Sequence, residues 1–169
     1  MQLTDESGHV VALKAKFRTR GATARQYLMK PSLNMKLRTD DYSSSQDSML
    51  LGIRSISKWI LDAMAIDRIC MRNRVAMDVW NAYSHLPYNT DFGARSGTSG
   101  RFIEVYINDE YKGIYCLSDM INRKLLQLKK YDEVKGRVRG VLYKSGTEDI
   151  ADQNNRNFTD DWSAATISW

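Results

Sequence analysis

The sequence has few of the residues that build metal centres or disulfide frameworks. It contains two cysteines, Cys70 and Cys116, and two histidines, His9 and His85, with no CxxC spacing. A structural zinc site takes about four such ligands, so we expect no metal site. Both cysteines lie inside apolar patterns, which predicts two buried free thiols.

Long apolar runs and common nucleotide motifs are also missing. No stretch of about 18 apolar residues occurs, so the sequence predicts no transmembrane helix. Residues 1–6 lack a basic segment followed by an apolar one, so no signal peptide is visible. Neither a Walker pattern nor a GxGxxG is present. A length of 169 residues, 43% of them hydrophobic, predicts one folded domain.

The positive charge is unevenly distributed. From Ser145 onward there are one base and five acids, a net of −4; since the whole chain carries +5, residues 1–144 carry +9. A basic body attracts phosphates, nucleic acid or acidic protein, although most such charges are simply solvated. We divide the chain into a region 1–147 and a segment 148–169, which is either a polar tail or a truncated link to a further, C-terminal lobe.

The remaining patterns predict an α+β fold with a mostly antiparallel sheet and packed helices. Alternation predicts strands over 11–18 and 32–37, and two β-rich runs, 101–107 and 111–117, predict a hairpin around 108–110. Helices are expected over 67–83, with Asp67 as N-cap, and over 121–128. A last short strand is expected within 140–144, and the segment 50–61 is apolar without a clear period.

Three segments have residues suited to nucleotide chemistry. Between the first two strands, residues 18–25 form a basic connector with one glycine, and Lys30 or Lys36 on the following strand could supply a point charge for phosphates. On the helix, Arg74 and Asp78 are spaced for a surface pair, or Asp78 orients a strand lysine as kinase folds require. Asp119 follows the hairpin. In two-lobed nucleotide-binding proteins, the segment that leaves the sheet at such a point often lines the pocket for the base. Each pattern alone is also explained by ordinary solvated structure.

Together, and in order, these segments resemble the CotH family of spore-coat, kinase-like proteins. Residues 20–25 (RGATAR) with 30–37 (KPSLNMKL) are similar to its "RGxSxR…K[KP]SYxxK[LF]" segment. Residues 50–52, 59–63 and 71–74 are similar to its "LLG…xWxLxA…xxRN" run. Residues 101–115 (RFIEVYINDEYKGIY) resemble "xxVEVYxNGEYxGxY", with Asn108-Asp109 in place of Asn-Gly.

The resemblance implies an atypical kinase fold, of which this chain is the nucleotide-binding lobe. It implies binding of ATP with magnesium and phosphorylation of protein serines. The localisation stays unknown, an extracellular or cell-surface parent protein being one possibility. The implied nucleotide-contacting residues are Arg20, Gly21, Arg25, Lys30 or Lys36, and Asp78. The family's metal-binding and catalytic aspartates, on its C-terminal lobe, have no counterpart before Trp169, so we expect little or no kinase activity from this chain alone.

Two other hypotheses remain at this point. A non-catalytic surface or adhesion module would keep the same fold and would not bind ATP. Nucleic-acid binding by the basic body is less favoured, because the aromatic residues lie in core-like strand positions rather than among the bases. We therefore expect a protein substrate, no nucleic-acid partner and no membrane segment in this chain.

Overall fold

A computed structural model describes residues 1–21, 30–86, 93–129, 131–138, 140–144 and 166–167. The described part is α+β, with a mostly antiparallel sheet and one α helix. The elements are β1 (Gln2–Thr4), β2 (Val10–Ala12), β3 (Lys14–Thr19), β4 (Leu33–Arg38), β5 (Ser48–Leu50), β6 (Ile53–Ile56), β7 (Lys58–Asp62), α1 (Arg72–Tyr83), β8 (Gly100–Ile107), β9 (Glu110–Ser118), β10 (Tyr143–Lys144) and β11 (Thr166–Ile167).

The chain divides into two compact units. The first comprises residues 1–85 and 95–121 and contains α1 and all strands from β1 to β9; the second comprises 86–94 and 122–169 and contains β10 and β11. In the second unit, β10 pairs antiparallel with β11, and Asp132 and Arg137 close a short turn through two backbone hydrogen bonds. The strand expected within 140–144 is therefore present, as Tyr143–Lys144.

The first unit is organised by a five-stranded antiparallel sheet of order β3-β4-β7-β9-β8. Directly paired residues project to the same face of a sheet. One face, the apolar face, therefore includes the row Phe17, Met35 and Trp59, and the opposite face includes the row Lys16, Lys36 and Lys58. The same five strands thus separate apolar from basic side chains.

The apolar face forms the core. Leu37 and Trp59 are almost fully buried there, together with Leu50, Ile53 and Ile56 from a second hairpin, β5–β6. This hairpin occupies the apolar segment that had no clear period in the sequence. Leu51 and Gly52 form its two-residue turn with φ of 47° and 73°, the left-handed conformation that tight hairpins require.

The hairpin predicted around residue 108 is confirmed as β8–β9. Asn108 and Asp109 both have positive φ, 51° and 63°, which is typical of a two-residue type I′ turn, and Glu110 already belongs to β9. The strand predicted over 32–37 is also confirmed, as β4. The strand predicted over 11–18 is divided into β2 and β3, because Leu13 lies between two separate pairings.

The helix predicted over 67–83 begins five residues later, at Arg72, with Met71 as its N-cap. Asp67 instead organises the preceding loop, where its carboxylate accepts hydrogen bonds from the backbone N–H groups of Ile69, Met71 and Arg72. These bonds, led by the one from Arg72, hold the pKa of Asp67 below its usual value. Asp67 therefore precedes the helix, but it lies in the loop, and the prediction that it is the N-cap is wrong.

Two further expectations are wrong. Residues 122–127 form successive turns rather than a helix, and Gln127 has a φ of 51°, a left-handed conformation that a regular helix cannot contain. Cys70 is exposed, whereas Cys116 is buried. Burial raises the pKa of the Cys116 thiol, so only that cysteine behaves as the sequence predicted.

Candidate functional site

The ammonium group of Lys30 is held by the backbone. It donates hydrogen bonds to the carbonyl oxygens of Ala63, at 3.1 Å, and Ile114, and it lies 4.4 Å from the ring centroid of Tyr115. Ala63 directly follows β7, and Ile114 and Tyr115 lie in the middle of β9, so Lys30 joins the segment before β4 to two other strands of the sheet. A lysine used in this way has little capacity left for a phosphate.

Lys36 has a different environment. It is half-buried at the middle of β4, and it faces Lys16 on β3 and Lys58 on β7. None of these three lysines forms a salt bridge within the described residues, although Lys16 lies 5.9 Å from the ring centroid of Tyr42. The three ammonium groups therefore form an uncompensated row across three strands.

Lys16 and Lys58 were not among the residues singled out from the sequence. The alternation of the first strand put Lys16 on its polar side, but which residues lie opposite Lys36 depends on register. Register is fixed by the apolar rows on the other face, which involve residues distant in sequence. No local signal distinguishes Lys58, just before Trp59, from an ordinary exposed lysine.

The basic connector begins where β3 ends. The backbone N–H of Arg20 donates to the carbonyl oxygen of Ser32 at 2.9 Å, which extends the β3–β4 ladder by one bond. Gly21 follows with a φ of 96°, a conformation that glycine adopts without steric cost. Arg25, the third connector residue predicted to contact the nucleotide, lies outside the described residues.

Asp78 is paired within its own helix. Arg74 donates a hydrogen bond from Nε to Asp78 Oδ1 at 3.0 Å, and its Nη2 lies 2.7 Å from the same oxygen in an ion pair. The Nη2 group donates its hydrogen bond to the carbonyl oxygen of Thr98. Arg74 is only 6% exposed, whereas the Asp78 side chain is 62% exposed. The pair predicted from spacing is therefore present, with the arginine turned inward. No contact joins Asp78 to Lys30 or Lys36 within the described residues, and its role toward a lysine stays a prediction.

Asp119 is engaged in holding the end of β9. It is fully buried, it accepts a hydrogen bond from Arg54 Nε at 2.6 Å, and its other oxygen accepts one from the backbone N–H of Ser99. Arg54 also donates to the carbonyl oxygen of Met120. A carboxylate with these partners fixes β6 against the β8–β9 pair, and it is not free to line a base pocket.

The described residues contain no cluster of acids that could hold a metal ion by themselves. Within the described ranges no group of three His, Cys, Asp or Glu side chains comes together. Asp78 and Asp119 are both paired with arginines, and Asp62 accepts a hydrogen bond from Ser32. Magnesium in nucleotide sites is held by one or two carboxylates together with substrate phosphates. We therefore derive no step through a metal.

A cavity of about 580 Å³ lies on the apolar side of the sheet. Its walls include Phe17, Leu33, Met35 and Val105, and none of the five described residues predicted for the nucleotide lines it. The cavity and the lysine row thus lie on opposite faces of the sheet. The described residues that the sequence predicted fall into four places: the end of β3, the segment before β4 with Lys30, the middle of β4 with Lys36, and α1.

Comparison with known proteins gives one match. A family model described as CotH kinase protein matches residues 17–166, which is most of the chain. No curated protein and no solved structure matches it. No helix in the described ranges is long and apolar enough to cross a membrane.

Proposed function

The chain belongs to the CotH kinase protein family, and we propose that it is the nucleotide-binding portion of a CotH-like protein serine kinase. It binds ATP at the lysine-bearing side of the five-stranded sheet. The ligand class comes from family membership. The assignment to this side of the sheet rests on the contrast between Lys36 and Lys30.

The uncompensated charge of Lys36 is the observation that carries the proposal. Lys36 is half-buried, and the residues paired with it on the two neighbouring strands are Lys16 and Lys58. Like charges directly opposite one another on neighbouring strands destabilise a sheet, and an anion bound over the row relieves this repulsion. Lys30, the other lysine of the same motif, already donates to two carbonyl oxygens. We therefore assign the phosphate contact to Lys36.

The connector supplies the remaining phosphate contacts in this proposal. Arg20 and Gly21 lie at the end of β3, which is paired with the strand that carries Lys36. Arginine binds phosphate oxygens through two parallel hydrogen bonds, and a glycine allows backbone N–H groups to approach a phosphate closely. Arg20 and Arg25 orient the phosphates, Gly21 permits the approach, and Lys36 provides a point charge.

Phosphoryl transfer is a separate property from nucleotide binding. It depends on placing metal ions and acids around the transferred group, and the described residues contain no such acid cluster. We expect phosphorylation of serine peptides by this chain to be close to background. The assay uses ATP and magnesium and compares this chain with a longer version of the protein. Comparable turnover would show that this chain already contains the acids needed for phosphoryl transfer.

A titration of magnesium-ATP into the whole chain tests the binding proposal. Lys36→Ala should weaken binding at least about tenfold, because a charge-assisted contact to phosphate is lost. Lys30→Ala should retain binding in whatever fraction is folded, and Lys135→Ala, an exposed lysine of the second unit, is the matched control.

The competing hypothesis, a non-catalytic surface or adhesion module, is favoured by the pairing of Asp78 with Arg74 rather than with a lysine. This hypothesis predicts that the chain without substitutions does not bind ATP. If Lys36→Ala left ATP binding unchanged, the chain would still be a nucleotide-binding protein, but the assignment of the phosphate contact to Lys36 would be wrong.

A further inference from the structure

The lysine-bearing side of the sheet carries more positive charge than a single phosphate-contacting lysine requires. We call it the lysine face and define it by Lys14, Lys16, Arg18, Lys36 and Lys58, which the register places on the same side of β3, β4 and β7. Four of the five are exposed, Lys36 is half-buried, and none forms a salt bridge within the described residues. Much of the charge excess of residues 1–144 is thus gathered on one surface.

Protection of a sheet edge does not explain this arrangement. Lysines on edge strands prevent edge-to-edge pairing, and β3 is an edge strand, which accounts for Lys14 and Lys16. Lys36 lies on β4, where its neighbours are Lys16 on β3 and Lys58 on β7. Lys58 lies at the start of β7, two residues before the pairing of β7 with β9 begins at Ile60. Since strands lie about 4.8 Å apart, Lys36 has like charges close by on both sides and no edge of its own to protect. An anionic partner would relieve this repulsion.

Helix α1 lies on the same side of the sheet. Gly100 is connected to Arg18 by successive pairings through Ser118, Ile60 and Asn34. A Cβ at Gly100 would lie 3.0 Å from Arg74 Nη1. The Arg74 side chain of α1 therefore reaches this side of the sheet at Gly100, the first residue of β8, and the lysine face lies on β3, β4 and β7.

The outward side of α1 is apolar. Arg74 and Asn81 turn inward and donate to the carbonyl oxygen of Thr98. Val75, Val79 and Tyr83 follow one another at four-residue intervals and are 50%, 51% and 80% exposed. An amphipathic helix normally turns such a stripe toward the core. Here polar groups hold the helix to the sheet, and the apolar stripe faces outward.

From this juxtaposition we infer that one side of the first unit is a docking surface for an acidic amphipathic protein segment. Charge complementarity to the lysine face requires carboxylates or other anions on the partner. The stripe of α1 requires apolar side chains on the same partner, which distinguishes a protein segment from a nucleic acid or a free polyphosphate. This inference does not depend on ATP binding; it shares Lys36 with the proposed function, so the test uses Lys16 and Lys58.

Binding of three labelled probes of equal length to the full chain tests the inference by fluorescence anisotropy, at about 0.15 M ionic strength. The probes are a Leu/Glu peptide with leucines at helical spacing, polyglutamate, and oligothymidylate. We expect the Leu/Glu peptide to bind most tightly. The paired substitution Lys16→Gln/Lys58→Gln should weaken both acidic peptides roughly 5- to 30-fold.

The substitution Val75→Ser/Val79→Ser separates the two components of the surface. It should weaken binding of the Leu/Glu peptide to the level of polyglutamate and leave polyglutamate itself unchanged. Lys135→Gln, which removes one exposed charge from the second unit, should change neither. Circular dichroism confirms folding of each variant, and Lys58→Gln alone gives the same test at a smaller effect if the double variant does not fold.

Three outcomes would overturn the inference. Tighter binding of oligothymidylate with the same dependence on Lys16 and Lys58 would identify a phosphate polymer as the partner. Equal effects of the valine substitutions on both peptides would show that the helix stripe takes no part. Absence of measurable binding to either acidic peptide would leave the lysine face without the proposed role, whatever the result of the ATP titration.

Discussion

The two faces of the five-stranded sheet differ in what their side chains contact. On the apolar face, Leu37 and Trp59 are buried beneath the β5–β6 hairpin. On the lysine face, Lys36 and Lys58, which adjoin them along the same strands, have no acidic partner in the described residues. Neighbouring residues of a strand point to opposite faces. The side chains of the apolar face therefore stabilise the fold, and those of the lysine face stay available to bind a partner.

A second difference concerns charge. Near the core, the buried carboxylate of Asp119 is paired with Arg54. On the lysine face, no charged side chain forms a salt bridge within the described residues, and four of the five are exposed. A buried pair is costly to break, whereas an exposed like-charge row is costly to keep. The predictions below use this contrast, from the largest expected effect to the smallest.

Breaking the buried pair should have the largest effect. Asp119→Ala leaves Arg54 without its carboxylate and frees the backbone N–H of Ser99, so we expect a loss of about 3–5 kcal/mol in the free energy of unfolding. Urea denaturation measures it. Glu110→Ala, which removes an exposed carboxylate paired with Lys112, should cost about 1 kcal/mol or less. Similar costs for the two variants would refute the assignment of Asp119 as a structural acid.

Adjacent residues of β4 provide the most direct comparison of the faces. Leu37→Ala should cost about 2–5 kcal/mol, because it opens a cavity among buried side chains. Lys36→Ala should change the free energy of unfolding by no more than about 0.5 kcal/mol. The same denaturation experiment measures both. A comparable loss for Lys36→Ala would mean that this lysine is structural, and the account of the lysine face would fail.

The two lysines of the family motif should differ in the same way. Lys30→Met removes charged hydrogen bonds to the carbonyl oxygens of Ala63 and Ile114, so we expect it to cost about 1.5–3 kcal/mol. Lys36→Met serves as the matched variant and should be neutral or slightly stabilising. Thermal unfolding followed by circular dichroism distinguishes them. Equal melting temperatures would indicate that Lys30 is as free as Lys36.

Much of this architecture could be predicted from local patterns. Strict alternation identified β4, and two β-rich runs on either side of a turn identified the β8–β9 hairpin. The β5–β6 hairpin was missed because Leu50, Leu51 and Ile53 are all apolar and hide the period of two, and its turn uses positive φ at Leu51. The predicted helix over 121–128 had the right spacing, but residues 122–127 adopt turns instead.

The candidate site was harder to predict, because its key distinctions depend on distant residues. Lys30 and Lys36 are equivalent in the motif, and only the carbonyl oxygens of Ala63 and Ile114, which lie far along the chain, distinguish them. The orientation of α1 could not be predicted from its own sequence either. It depends on the hydrogen bonds from Arg74 and Asn81 to the carbonyl oxygen of Thr98, 24 and 17 residues further along the chain, which leave the apolar stripe exposed.

The smallest predicted effect concerns the repulsion within the lysine row. Lys16→Gln/Lys58→Gln should raise the free energy of unfolding by a few tenths of a kcal/mol at low salt, because like charges opposite Lys36 are removed. The gain should disappear near 1 M salt, where the Debye length is about 3 Å. Denaturation at both salt concentrations measures it. A loss of stability at low salt would show that these lysines have partners that compensate them.

The most direct test of the central claim is to locate bound nucleotide by amide chemical-shift mapping of the whole chain on addition of magnesium-ATP. The account predicts that the largest changes fall at Arg20, Gly21 and Lys36, and that Lys36→Ala removes them. Changes clustered instead around Phe17, Leu33 and Val105, at the cavity on the apolar face, or no changes at all, would contradict it.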